Sequence, residues 1–147
     1  MSGSGRSEGI QSCSVARTLE IVGEKWSLLI VRELLLGRHR FAQIVERTGA
    51  PRDVLTTRLR RLEQRGILHR RRYSERPERF EYHLTELGRS LAPVLAVLRQ
   101  WGDAHLSGPE GPPARFEHTC GHALDVEVVC ANCGGLAASD FMTQTMG

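Results

Sequence analysis

The chain has 147 residues, 40% apolar and 25% charged, which suits about one soluble globular domain. No apolar run approaches the ~20 residues that span a bilayer. The opening MSGSGRSEG lacks the apolar core of a secretory signal, so a cytoplasmic protein is expected. The net charge of +3 says little until it is placed along the chain: Arg38 to Arg79 carries thirteen arginines against five acids, a local +8, and the remainder is −5. A concentrated basic segment is the electrostatic footprint of a nucleic-acid binder.

Residues 1–12 read as a flexible polar tail. Val15, Leu19 and Val22 fall at i, i+4 and i+7 and predict a short amphipathic helix from Ser14, stopped by Gly23. A second helix from Lys25 to Leu36 is apolar on nearly every side, interrupted by Arg32 and Glu33, and should be the buried centre. A third spans Phe41 to Arg47. After the tight Thr48-Gly49-Ala50 link, Pro51 suits the first turn of a fourth, which runs to Arg65 and stops at Gly66. Two short helices across a glycine-containing turn match a helix-turn-helix. Ile67–Tyr73 and Arg79–Leu84 then read as the strands of a hairpin with a polar tip, Ser74 to Glu78. A last helix starts after Thr85 as N-cap and continues to His105, with Pro93 expected to kink or break it. Leu84, Leu87, Leu91, Val94, Leu98 and Trp101 are spaced 3, 4, 3, 4, 3, a stripe suited to a dimer seam, with Leu91, Val94, Leu98 and Trp101 as interface candidates. Gly- and Pro-rich residues open a linker over 107–117, and a small Cys/His-bearing module occupies 118–147.

The fourth helix can be read face by face. Leu55, Leu59 and Leu62 must point inward, and the opposite face presents Asp53, Thr57, Arg60 and Gln64, flanked by Thr56 and Arg61. Arginine binds guanine bidentately, glutamine reads adenine, and threonine contacts base or phosphate. The N-terminal part of a recognition helix reaches base edges, which selects Arg52, Asp53, Thr56, Thr57 and Arg60, with Arg61 beside them. Asp53 cannot bond phosphate; it would orient an arginine or accept from a cytosine amino group. The hairpin adds Arg70, Arg71, Arg72, Arg76 and Arg79, and a narrow ribbon carrying Arg72, Arg76 and Arg79 fits phosphate or minor-groove contact. The bland alternative is a solvated charged face. Its coincidence with helix-turn-helix spacing and a following wing favours double-stranded DNA as partner.

Residues 13–106 resemble the HxlR-type winged helix-turn-helix family of bacterial transcriptional regulators, relatives of the MarR group. The matching stretches are Cys13-x-Val15, Gly23-x-Lys25-Trp26, Leu34-Leu35-Leu36-Gly37, Arg40-Phe41, Val54-Leu55-Thr56-x-Arg58-Leu59-x-x-Leu62-Glu63-x-x-Gly66, Glu81-Tyr82-x-Leu84-Thr85-x-x-Gly88 and Pro93-Val94-Leu95, in that order. The resemblance implies a mainly α domain with a small β-hairpin wing, and a homodimer joined through its first and last helices. Two recognition helices would then read an inverted-repeat operator, and a repressor is the expected outcome.

Cys13 falls at the start of the first helix, where a thiol is made more reactive. Some HxlR-type proteins are similar in carrying an oxidant- or electrophile-sensing cysteine there; the alternative is a small residue packed in the dimer interface. In the tail module, a strand-like Leu124-x-Val126-x-Val128 lies between Cys120-Gly121-His122 and Cys130-x-x-Cys133-Gly134, and C-x-x-C-G commonly forms a zinc knuckle. The module resembles a small zinc ribbon whose first half is C-x-H, so Cys120, Cys130, Cys133 and either His122 or His118 form a candidate Zn2+ set. The alternatives are a Cys130–Cys133 redox pair or a metal-free ribbon.

Catalysis is rejected: His39, His69, His83 and His105 are scattered without a nucleophile or carboxylate constellation, and there is no phosphate-binding glycine loop. The rival class is a winged-helix protein-interaction scaffold, against which the arginine density on the fourth helix and wing argues. A small-molecule effector could occupy a dimer cavity, though no residue pattern identifies one.

Overall fold

The computed structural model describes residues 13–135; the tail 1–12 and the last residues of the 118–147 module lie outside the described residues. Helix α1 (Ser14–Val22) forms where the i, i+4, i+7 pattern places it, yet Val22 alone of its apolar residues is buried; Val15 and Leu19 face outward. α2 (Lys25–Leu35) starts from Glu24, whose carboxylate accepts from the Trp26 backbone N–H at 3.2 Å and the Ser27 hydroxyl at 3.1 Å. It buries Ile30, Val31 and Leu34 as the centre of the core. Its burial is not all round, because Leu35 and Leu36 are exposed at its C-terminal end.

α3 (Phe41–Thr48) and α4 (Arg52–Gln64) are the helix-turn-helix. The turn works because Gly49 takes φ +71°, a left-handed conformation that a Cβ would strain, and returns its N–H to the Val45 carbonyl at 2.8 Å. Pro51 stands one position earlier than the sequence suggests, as the N-cap of α4 and outside its first turn. Leu55, Leu59 and Leu62 are buried against Ile30, Val31, Leu34 and Ile44.

Strands β1 (Leu68–Glu75) and β2 (Glu78–Leu84) pair antiparallel from Leu68↔Leu84 to Glu75↔Glu78, with a register shift between Arg72 and Ser74. The strands run closer to the tip than predicted, leaving Arg76 and Pro77 between them. The Ser74 hydroxyl donating to the Pro77 carbonyl at 2.8 Å closes that shorter turn. A bridge from Arg40 to Glu81 ties the loop before α3 to the outer edge of β2.

The single last helix expected from Thr85 to His105 is two helices, α5 (Glu86–Arg89) and α6 (Ala92–His105). Pro93 has no N–H for the Arg89 carbonyl, and its ring would clash there, so the helix breaks at Ser90–Leu91 and restarts with Pro93 in its first turn. The break also corrects the single leucine stripe. Leu84 ends β2 inside the core and Leu91 packs against that core, while Leu87, Val94, Leu98 and Trp101 are exposed. Gly88 lets α5 approach the residue before β1 closely: a Cβ there would lie 2.1 Å from the Ile67 carbonyl oxygen.

The chain divides into two compact units between Leu95 and Ala96, inside α6 rather than in the Gly/Pro-rich linker. In the second unit, Arg99 donates to the Leu124 carbonyl at 2.9 Å, and Gln100 pairs through both amide atoms with the Val126 backbone at 2.8 Å. These side chains take the backbone groups that a strand would offer a neighbour. Among the described residues the strand-like Leu124-x-Val126-x-Val128 pattern lies in no strand, and Glu117 and Ala123 form an isolated bridge.

Candidate nucleic-acid interface

The outward face of α4 follows from the inward one. Arg52, Asp53, Thr56, Thr57, Arg60, Arg61 and Gln64 are all exposed, opposite buried Leu55, Leu59 and Leu62. The hydroxyls of Thr56 and Thr57 donate to the Arg52 and Asp53 carbonyls at 2.8 and 3.0 Å. Their oxygens keep acceptor capacity, and a hydroxyl in this position can rotate toward a ligand. Arg52 lies over the Phe41 ring at 5.6 Å, which directs its guanidinium along the helix-turn-helix surface. Asp53 forms no ion pair among the described residues, so the arginine-orienting role considered for it has no partner in this structure.

Ion pairing sorts the thirteen arginines of the basic segment. Seven have a carboxylate within 4.0 Å: Arg38 and Arg47 at Glu33, Arg40 and Arg71 at Glu81, Arg58 at Glu24, Arg70 at Glu63, and Arg72 at Glu78. Among the described residues Arg52, Arg60, Arg61, Arg65, Arg76 and Arg79 have none. The unpartnered set therefore lies on α4, at its end, and at the hairpin tip. Of the sequence candidates, only Arg72 is shared with a carboxylate, at 3.5 Å and with both side chains more than half exposed. Such a surface pair is weak and can exchange for a phosphate.

The paired arginines build the platform. Glu33 is 1% exposed and receives Arg32 at 2.7 Å and Arg38 at 2.9 Å, with Arg47 of α3 at 3.9 Å. Glu63 accepts from the Arg70 backbone N–H at 3.0 Å and faces its Nε at 3.4 Å, fixing the base of the wing to α4. Arg70 also covers the Phe80 ring at 4.7 Å. On the other wing face, His39 stacks on His83 at 4.1 Å and His83 on His69 at 5.9 Å. His39 Nδ1 donates to the Tyr82 carbonyl at 2.9 Å, and the Tyr82 N–H answers to the His39 carbonyl at 2.8 Å. The hydrogen bond from His83 Nε2, backed by the charges of Arg40 and Arg71, holds the Glu81 carboxyl below the usual carboxylate range against the desolvation that opposes it. Sequence reasoning missed this histidine stack, because His39 lies over forty positions from His83. The buried Glu33 did leave a signal: a charge inside the most apolar helix.

Cys13 is exposed at the N-cap of α1, and its side chain makes no cap bond. Val94, Leu98 and Trp101 line one exposed face of α6, at i, i+4 and i+7. Cys120, His122, Cys130 and Cys133 are exposed, and the expected four-ligand set is not assembled: among the described residues no three His, Cys, Asp or Glu side chains are grouped to hold a metal. Hydrogen bonds within each turn hold the two cysteine-bearing loops separately, the His118 N–H to the His122 carbonyl and the Gly134 N–H to the Cys130 carbonyl. Among the described residues no helix is long and apolar enough to cross a membrane.

Comparison with known proteins agrees with this geometry. The family model described as HxlR-like helix-turn-helix matches residues 21–109. An uncharacterized HTH-type transcriptional regulator of Mycobacterium tuberculosis is 50% identical over 122 residues, covering 82% of this chain and 77% of its own. The regulator YdeP of Bacillus subtilis is 37% identical over 102 residues, covering 67% and 78%. Among solved structures, the crystal structure of PA1607 superposes with a TM-score of 0.83 at 31% identity, covering 96% of this chain and 99% of its own. The redox regulator HypR in its oxidized form reaches 0.61 at 34% identity, covering 65% and 100%. These relatives are regulators, not enzymes, and the chain belongs to the HxlR-like helix-turn-helix family of transcriptional regulators.

Proposed function

We propose that the chain is a sequence-specific transcriptional repressor that binds an inverted-repeat operator in double-stranded DNA as a homodimer. The observation that carries this is the sorting of the arginines. Carboxylates tie down those that shape the domain, and Arg60, Arg61, Arg76 and Arg79 stay available on the recognition helix and wing tip. Arg60, with Arg52, Asp53, Thr56 and Thr57, reads base edges; Arg61, Arg72, Arg76 and Arg79 hold phosphates or enter the minor groove. Dimerisation uses the exposed α6 face of Val94, Leu98 and Trp101, and the half-sites then lie about 34 Å apart, one helical turn.

Thiol oxidation is the input this reading favours. Cys13 is exposed at a helix start, and a redox regulator is among the structural neighbours. No other cysteine lies within residues 14–119, so its partner in oxidation is a small thiol, the other subunit's Cys13 or a cysteine of the C-terminal module.

The test is affinity for the chain's own upstream promoter against random duplex, measured reduced and oxidised. A preference of about 10³ or more supports the operator reading. A ratio near one supports the interaction scaffold instead. Unchanged binding after oxidation, with Cys13 shown to be modified, removes the redox input.

A further inference from the structure

The strand register sorts the wing residues into two faces. Arg70 pairs directly with Tyr82, and both project to the side on which Leu68 and Leu84 are buried, while His69, Arg71, Glu81 and His83 take the other side. Facing Arg70 and Tyr82, α4 presents Thr56, Leu59, Arg60 and Glu63 at i, i+3, i+4 and i+7, one stripe of the helix. Those six residues line a cleft of about 160 Å³ between the recognition helix and the wing. It has room for roughly five waters at ~30 Å³ each.

The cleft holds a guanidinium fixed in advance. Arg70 Nε faces the Glu63 carboxylate at 3.4 Å, and the guanidinium lies over the Phe80 ring at 4.7 Å. Its terminal N–H groups have no partner among the described residues. Donors ordered before a ligand arrives cost less entropy when it binds. Tyr82 packs its ring against the core, and its hydroxyl makes no hydrogen bond among the described residues yet is not sealed from solvent. Burial pushes the Tyr82 phenol up, against the pull of the Arg70 guanidinium and with Glu63 adding to it, so the hydroxyl keeps its proton to donate.

An unpartnered hydroxyl and a pre-set guanidinium in one cleft call for an acceptor. Two arginines, Arg60 and Arg70, against one Glu63 leave the cleft positive, so the acceptor it suits is an anion. A phosphodiester satisfies both donors, taking N–H groups from the guanidinium and the O–H of the phenol. A base edge suits it less, because bases bring donors of their own and the carboxylate of the cleft is already held by the Arg70 backbone N–H at 3.0 Å.

We propose that this cleft seats one backbone phosphate of each DNA half-site, with the Tyr82 hydroxyl and the terminal N–H groups of Arg70 as its donors. The inference rests on the DNA-binding reading above and adds two contacts that exposure and ion pairing do not single out. One comes from an uncharged residue, the other from an arginine that already has a carboxylate. Arg70 then serves twice, tying the wing to α4 and holding the phosphate with the donors that remain.

The test uses the full chain on its own upstream promoter and on random duplex. Tyr82→Phe keeps the packed ring and removes only the hydroxyl. It should weaken binding to both DNAs by about tenfold or more for a homodimer, with the salt slope unchanged because a neutral donor releases no counterion. Arg70→Gln should also weaken both, and should make the slope less negative by about 1.8 for its two copies. Duplexes carrying a neutral methylphosphonate at one backbone position at a time locate the seat: one position per half-site should cost the wild type affinity and cost Tyr82→Phe little. Circular dichroism checks that each variant is folded, and if Tyr82→Phe is not, the same scan with Arg70→Gln reads the seat. Binding by Tyr82→Phe within about twofold of wild type, or a scan in which every position costs wild type and variant alike, overturns the proposal and leaves the DNA-binding reading standing. A wild type that binds neither duplex overturns that reading, and the cleft with it.

Discussion

Replacing Arg79 by alanine should change how DNA affinity responds to salt, and replacing Arg38 should not. Arg79 is exposed on β2 beside the wing tip and has no carboxylate partner among the described residues. A phosphate contact made by such a guanidinium releases condensed counterions, so each one lost makes the slope of log K against log salt less negative by about 0.9. A homodimer carries the residue twice, giving a change of about 1.8, and between about 50 and 200 mM salt the wild type should lose roughly tenfold more affinity than the variant. Arg38 lies 2.9 Å from buried Glu33, which holds its guanidinium against the protein. Its removal leaves no phosphate unpaired. Fluorescence anisotropy of both variants, on operator and on random duplex across a salt series, reads the two slopes. The reasoning fails if Arg79→Ala keeps the wild-type slope, or if Arg38→Ala shifts it equally while circular dichroism shows the fold intact.

Arg60→Ala should act differently, costing about 1–3 kcal/mol of discrimination per half-site with little effect on random duplex, if Arg60, exposed at mid-helix of α4, reads base edges as proposed; equal losses on both DNAs would place it on phosphate instead. Glu33→Ala should destabilise the first unit by about 2–4 kcal/mol, because it leaves Arg32 and Arg38 without the buried acceptor they share, the cost being moderated by their partial exposure. Thermal unfolding should show a drop of roughly 10 °C or more, and a shift below about 2 °C would mean that the arginines rehydrate freely. Leu98→Arg places a charge in the middle of the exposed α6 face proposed as the dimer seam, and sedimentation should report monomer for the variant and dimer for the wild type; the same assembly in both would move the seam elsewhere. For Glu81 the folded carboxyl titrates below its ordinary 4.5, so its link to His83 stabilises fully above that value and is lost as pH falls through the lower folded one. The stability difference between wild type and Glu81→Gln should therefore shrink on acidification below about pH 4.5, and a difference that grows there would refute the assignment.

The helix-turn-helix and wing were legible because local rules determine them. Leu55, Leu59 and Leu62 set the inward face of α4, and Gly49 marks the turn before it. Pro93 was legible as a break but not as its consequence. A 3-4 spacing that continues across two helices looks like one stripe, and only the break puts Leu84 in the core and leaves Leu98 outside. Long-range pairings left no local trace. Glu24 with Arg58, Glu33 with Arg47, and His39 with His83 join residues whose separation no periodicity encodes. In the tail, alternation at Leu124, Val126 and Val128 predicts a strand, whereas among the described residues Arg99 and Gln100 take backbone groups of Leu124 and Val126, a pairing that alternation does not encode.

The same residue type performs two jobs in the basic segment, and the acids decide which. Glu63 sets the angle between α4 and the wing through Arg70. Glu81, with the Arg40 bridge and the His39–Tyr82 bonds, sets the wing against the loop before α3. A reading head that must meet a groove and its flanking phosphates at once gains affinity from being held in that geometry beforehand, because the ordering cost then falls on folding and not on binding. The segment's +8 is therefore not a count of DNA contacts. Seven of its thirteen arginines have carboxylate partners within the protein, and six have none among the described residues. A charge-reversal of Glu63 would disturb docking as much as the loss of an arginine at the wing tip, although Glu63 would touch no DNA.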